Sequence, residues 1–99
     1  MISGVQWEKQ AQADRETIFR YLYREAGLLV ASATDDKFTR MASLLSENPR
    51  AGIKVGTEKQ YKLVVPRFPF IIIYVAETEG VRILRILHTS RKITGRYQR

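Results

Sequence analysis

Phe70-Ile-Ile-Ile-Tyr-Val-Ala76, Glu77-Thr-Glu-Gly80 and Val81-Arg-Ile-Leu-Arg-Ile-Leu-His88 are the consecutive segments that decide the fold. The first is nearly continuous apolar and rich in β-branched side chains. That composition suits a central strand buried on both faces. Side chains alternate across a strand, so Ile72 and Tyr74 share one face, and Ile71, Ile73 and Val75 the other. The second segment ends in glycine and reads as a hairpin connection. The third is another strand, with Val81, Ile83, Arg85 and Leu87 on one face and Arg82, Leu84, Ile86 and His88 on the other.

Upstream, residues 61–65 form a further strand, closed by Pro66. Pro66 and Pro69 bracket a tight link that is not strand, because proline cannot donate to a ladder. Residues 50–60 contain two glycines and no clear period, which predicts a loop. Before them, apolar residues recur at helical spacing. Ile18, Phe19, Leu22 and Ala26 mark a helix from about Glu8, which Gly27 ends. Phe38, Met41, Ala42 and Leu45 mark a second helix over 30–46, stopped at Asn48-Pro49. Residues 2–7 read as a first strand, with Val5 and Trp7 on one face. The order is β-α-α-β-β-β: an α+β domain over 1–99, with a helical hairpin on one face of a small antiparallel sheet. The opposite face is left for a partner.

At 99 residues, 44% hydrophobic and 27% charged, the chain is one ordinary globular domain with a small core. The net charge of +7 is unevenly placed. Residues 1–49 carry six Lys/Arg and seven Asp/Glu, whereas residues 50–99 carry eleven and three. After Glu79 every charged side chain is cationic: Arg82, Arg85, Arg91, Lys92, Arg96 and Arg99. Such an end suits an anionic partner, either nucleic acid or an acidic protein. With no cysteine, disulfides, thiolate metal sites and a Cys nucleophile are excluded, and one histidine excludes a multi-His metal site. No cofactor or metal is expected. The N-terminus lacks the pattern of a signal peptide, and the longest apolar run, 70–76, is far shorter than the ~20 residues that span a bilayer. A cytoplasmic location is the expectation.

No paired carboxylates, glycine-rich phosphate loop or Ser/His/Asp series stands out. The residues that can carry chemistry are Lys62, Arg67, Tyr74, Arg82, Arg85, His88, Arg91 and Tyr97. RNA can be cleaved without a metal when a base activates the 2′-hydroxyl and cations stabilise the phosphorane. His88 would be that base and Arg91 the phosphate stabiliser. A lone His-x-x-Arg is a weak signal, however. The alternative is that His88 caps the strand while Arg91 holds a carbonyl or a partner's carboxylate, and it is the better supported.

Leu45-Ser-Glu-Asn-Pro-Arg-Ala-Gly52, Tyr61-Lys-Leu, Pro66-Arg-Phe-Pro-Phe-Ile-Ile-Ile-Tyr74 and Val81-Arg-Ile-Leu-Arg-Ile-Leu-His-Thr-Ser-Arg91, in this element order, resemble the RelE/ParE superfamily of bacterial type II toxins. The resemblance covers almost the whole chain. It implies a toxin neutralised by a cognate antitoxin with an acidic, partly disordered segment. RelE-like members cleave messenger RNA in the ribosomal A site with sheet lysines and arginines and a C-terminal tyrosine. ParE-like members share the fold, lack most of that set and poison DNA gyrase. Here Lys62 matches the first sheet lysine, Val64 replaces the second, and Ile71 replaces the arginine of the central strand. Arg91 and Tyr97 match the C-terminal arginine and tyrosine. Each lost cation removes about 2.7–4 kcal/mol of transition-state stabilisation.

The ParE-like branch is therefore favoured, with gyrase as target. Arg67, Arg82, Arg85, Arg91, Lys92 and Arg96 are the expected contact surface for target or antitoxin. The alternative is a ribosome-dependent mRNA endonuclease using Lys62, His88, Arg91 and Tyr97, since some superfamily nucleases use a C-terminal histidine. A third possibility is a silent binding module that retains only antitoxin recognition.

Overall fold

The computed structural model describes residues 4–56, 59–90 and 97. The elements are β1 (Gly4–Trp7), α1 (Lys9–Ala26), α2 (Leu28–Glu47), β2 (Ile53–Val55), β3 (Gln60–Val64), β4 (Phe70–Glu77) and β5 (Gly80–His88). They build an α+β domain in which the two helices precede the main run of strands, in the order expected. The sheet order is β1-β5-β4-β3-β2, so β4 is central.

The sheet departs from the expected form in two places. It is mixed, because β1 pairs with β5 in parallel, while the other neighbours are antiparallel. Side-chain alternation reports which face a residue takes and not which way its neighbour runs, so this pairing left no trace in the pattern. Within the stretch assigned to a loop, β2 pairs antiparallel with β3. Three residues, Ile53, Lys54 and Val55, are too few to show a period of two.

The helices are joined by Gly27 alone, whose φ of +96° few side chains tolerate. Its amide closes α1 onto the carbonyls of Leu22 and Tyr23, and its carbonyl accepts from Ala31 to open α2 two residues earlier than the spacing predicts. The α2 stripe of Phe38, Met41, Ala42 and Leu45 is buried as expected, and Ala31 and Thr34 extend it. By contrast α1 buries only Ala11, with Ile18, Phe19 and Leu22 half-buried. Arg15 compensates by binding Asp35 on α2 through two hydrogen bonds of 2.9 and 2.7 Å, with its guanidinium 4.6 Å from the Trp7 ring centre.

Along β4 and β5 both faces of the sheet are buried. Ile72, Tyr74, Val81, Ile83 and Ile86 pack with Ala11, Phe38, Met41, Ala42 and Leu45 on the helix side. Ile71, Ile73, Val75, Leu84 and Leu87 form a second cluster on the far side. The split of β4 is the expected one. Tyr74 is fully buried, and its hydroxyl donates to the Pro49 carbonyl and accepts from the Gly52 amide, both at 2.8 Å. Burial pushes the Tyr74 phenol above its usual range, partly offset by the Gly52 amide. Those bonds tie the chain after α2 to the central strand.

In β5 the expected strict alternation fails. Ile73 lies opposite Arg85 but Tyr74 lies opposite Ile83, so Leu84 is the extra residue of a β-bulge. Val81 and Ile83 face the helices before it, Ile86 faces them after it, and Leu84 and Leu87 face away. Since β1 ends opposite Ile83, the edge of β5 away from β4 has no described strand beside it beyond that point. Asp14 of α1 fills the gap, accepting the Ile86 amide at 2.9 Å and the Arg85 guanidinium at 2.8 and 3.1 Å. At the opposite end Gly80 must be glycine, because a Cβ there would stand 2.0 Å from the Gly4 carbonyl oxygen.

Candidate functional site

The far face of the sheet is where the resemblance puts chemistry, and there it is chiefly aliphatic. Lys62 sits opposite Ile73 and Val64 opposite Ile71, so all four share this face. Lys62 is half-buried and makes no ion pair among the described residues. Val64 and Ile53 are 52% and 65% exposed and form its outer border. Tyr97 packs onto the cluster of Ile71, Ile73, Val75, Leu84 and Leu87. Its backbone is gripped by Gln60: Nε2 donates to the Tyr97 carbonyl at 2.8 Å, and Oε1 accepts from the Tyr97 amide at 3.3 Å.

His88 belongs to the other face. It lies opposite Phe70, with ring centres 5.7 Å apart and edge-on, and Phe70 in turn meets Phe38 of α2 at 5.5 Å. Beside it an open cleft of about 390 Å³ runs along α1, lined by Asp14, Thr17, Ile18, Arg85 and Ser90. The Ser90 amide donates to His88 Nδ1 at 3.1 Å, and the Ser90 hydroxyl lies 2.9 Å from the same nitrogen. An Nδ1 that accepts an amide proton carries none, so in the neutral ring the proton is on Nε2. This local contact caps the strand end. The thickness of the sheet separates it from Lys62 and Tyr97, so these three do not converge on one site.

Arg82 and Arg85 have no acidic neighbour in the sequence that follows them, yet both are neutralised in the fold. Arg82 binds Glu8 at 2.7 Å and both oxygens of Glu77 at 3.2 Å. Arg85 is paired with Asp14, and the Asp14 hydrogen bonds hold its pKa above the usual arginine value. Their charges serve the fold first and offer little field to a partner.

Arg67 differs. It is exposed and makes no ion pair among the described residues. The Phe68 amide donates to the Val65 carbonyl at 3.2 Å, closing a turn with Pro66 and Arg67 at its centre. Arg67 has φ +67°, the position where a turn of this type favours glycine. The turn thus holds a cation away from the sheet. Arg91, Lys92 and Arg96 lie outside the described residues.

Asp14 and Gln60 escaped the sequence analysis. Asp14 sits on the polar face of an amphipathic helix, and Gln60 opens a strand. Neither position carries a pattern that marks it. Among the described residues no cluster of His, Asp or Glu could hold a metal, and no helix is long and apolar enough to cross a membrane.

The comparisons agree with the fold. The family model described as "ParE toxin of type II toxin-antitoxin system, parDE" matches residues 5–93. Among solved structures, a chain of "Chromosomal ParDE TA system from P. aeruginosa" superposes with a TM-score of 0.78. It is 21% identical, with 88% of this chain and 96% of that one covered, a likeness that shows the shared fold. None of the curated proteins matches. With nearly its whole length matched, two helices laid on a five-stranded sheet and the sequence motifs in their places, this chain belongs to the ParE family of type II toxin–antitoxin toxins.

Proposed function

We propose that this toxin inhibits growth by engaging DNA gyrase through a surface, not by cutting RNA, and that a cognate antitoxin with an acidic, partly disordered segment neutralises it in the cytoplasm. The observation that carries this is the aliphatic far face. Val64 and Ile71 stand where a RelE-like nuclease would place a lysine and an arginine, and Ile71 is buried among Ile73, Val75, Leu84 and Leu87. Among the described residues a phosphorane forming there would meet hydrocarbon, Lys62 and Tyr97, where charge stabilisation is the main requirement. His88, on the opposite face, cannot act with Lys62 on the same phosphate. Binding by surface needs no metal, cofactor or proton-transfer group. It needs exposed cations, which Arg67 supplies and the basic C-terminal residues Arg91, Lys92 and Arg96 would extend. Those cations would also steer an acidic antitoxin, with buried apolar contacts holding the complex.

The test sets purified toxin in a gyrase supercoiling assay beside a translating-ribosome cleavage assay. Supercoiling is expected to be blocked and messenger RNA to remain whole, with antitoxin reversing the block. Codon-positioned cuts would sink the gyrase reading in favour of the endonuclease. Inertness in both assays and in cells, with antitoxin still bound, would identify a silent binding module.

A further inference from the structure

We infer that Gln60 is a positioning residue: its side-chain amide clasps the backbone of Tyr97 and thereby sets where Tyr97 lies on the far face of the sheet. Gln60 is only 4% exposed, yet it is polar and opens β3. A buried amide without partners would be costly. Here its donor and its acceptor are both spent on one residue, at 2.8 and 3.3 Å, across 37 positions of sequence. The reciprocal pair imitates the two bonds that antiparallel strands exchange at a hydrogen-bonded position. Gln60 thus does for Tyr97 what a neighbouring strand would do, at a point where β3 already pairs on one side with β2 through Val55.

The chemistry is specific. A carboxylate accepts but cannot donate, an ammonium donates but cannot accept, and an aliphatic side chain does neither. The Tyr97 ring adds apolar contact with Ile71, Ile73, Val75, Leu84 and Leu87. Apolar contact is not directional, so the ring alone would hold the end loosely, while the clasp fixes its direction. In sequence Tyr97 directly follows Arg96, one of the cations of the proposed contact surface, so loosening Tyr97 should weaken toxicity. That consequence rests on the proposed surface mechanism.

The experiment compares full-length wild type with Gln60→Leu and Gln60→Glu. NMR relaxation of the Tyr97 amide is measured alongside thermal stability and growth inhibition at equal protein level. In wild type the Tyr97 order parameter should approach the ~0.85 of rigid backbone, and in the variants fall below about 0.6. The β4 amides should be unchanged. Growth inhibition should weaken in step, most in Gln60→Leu, which loses both bonds. Should Gln60→Leu not fold, Gln60→Glu, which keeps the acceptor, carries the test alone. An unchanged Tyr97 order parameter in a folded variant overturns the inference, as does a Tyr97 already loose in wild type. Full toxicity with a loosened Tyr97 overturns it equally. The Tyr97 order parameter is read on the toxin alone, without gyrase, so a failure in the supercoiling assay would strike the target assignment and leave the clasp standing.

Discussion

On one side of the sheet, Ile72, Tyr74, Val81, Ile83 and Ile86 meet two full helices. On the other, Ile71, Ile73, Val75, Leu84 and Leu87 meet the ring of Tyr97. The aliphatic lining is similar, but the closure is not. The helix side is locked by Tyr74 on the 49–52 segment, by Arg15–Asp35 between the helices and by Asp14 on the bulge of β5. Each joins elements distant in sequence through groups that are at least partly removed from water, where hydrogen bonds count for more. On the far side the Gln60 side-chain amide and the Tyr97 ring are the described cover. The helix side therefore carries the architecture, and the described cover of the far side is held by a single residue of β3. The resemblance would make that face the nuclease face of a RelE-like protein, and here Val64 and Ile71 lie on it beside Lys62 and Tyr97.

The sharpest way to break this comparison is to cut a cavity in each side. Phe38→Ala, on the helix side, should cost about 3–5 kcal/mol, and Ile73→Ala, on the far side, about 2–5 kcal/mol. Both residues are fully buried. Each kcal/mol should lower the melting temperature by about 4–8 °C in a domain of this size. An Ile73→Ala variant as stable as wild type would mean that the far face is not a true core. A smaller effect tests the lock itself. Tyr74→Phe strands the Gly52 amide and the Pro49 carbonyl, costing about 1–3 kcal/mol.

That cost should depend on pH. The fold raises the Tyr74 pKa, so it favours the neutral phenol over the phenolate. Stability from this group is complete below the unfolded value of about 10 and is lost as pH rises through the folded value. Urea titrations at rising pH should therefore show the gap between wild type and Tyr74→Phe narrowing above about pH 10.

The least change is expected where the two sides carry the residues of the nuclease alternative. His88→Ala and Tyr97→Phe should each leave growth inhibition largely intact. His88→Ala, at an exposed position, should alter stability by no more than about 0.5 kcal/mol. Rescue of growth by His88→Ala in a protein that still folds would restore the nuclease interpretation, since loss of a general acid or base costs on the order of 10²–10⁴-fold in rate.

Local pattern alone was enough for the two helices, the three longer antiparallel strands and the split of Ile72 and Tyr74 from Ile71, Ile73 and Val75. Burial imposes a period of 3.6 or 2 on residues that are neighbours in the chain, so composition and spacing report it directly. The absence of cysteine, the single histidine and the basic second half were legible for the same reason: they are properties of the list of residues. Partners were not. Glu8 and Asp14 neutralise Arg82 and Arg85 from the other end of the chain, 74 and 71 positions away. Whether an arginine is a free contact or an internal ion pair is thus decided by what the fold sets beside it. The bulge at Leu84 arises from pairing register, which turned His88 toward the helices and away from Lys62. Gln60 became a clasp only because folding placed the Tyr97 backbone within 3.3 Å of it. Faces and elements are written in short-range spacing, whereas charge balance, register and the convergence of site residues are properties of long-range contacts, which only the tertiary structure sets.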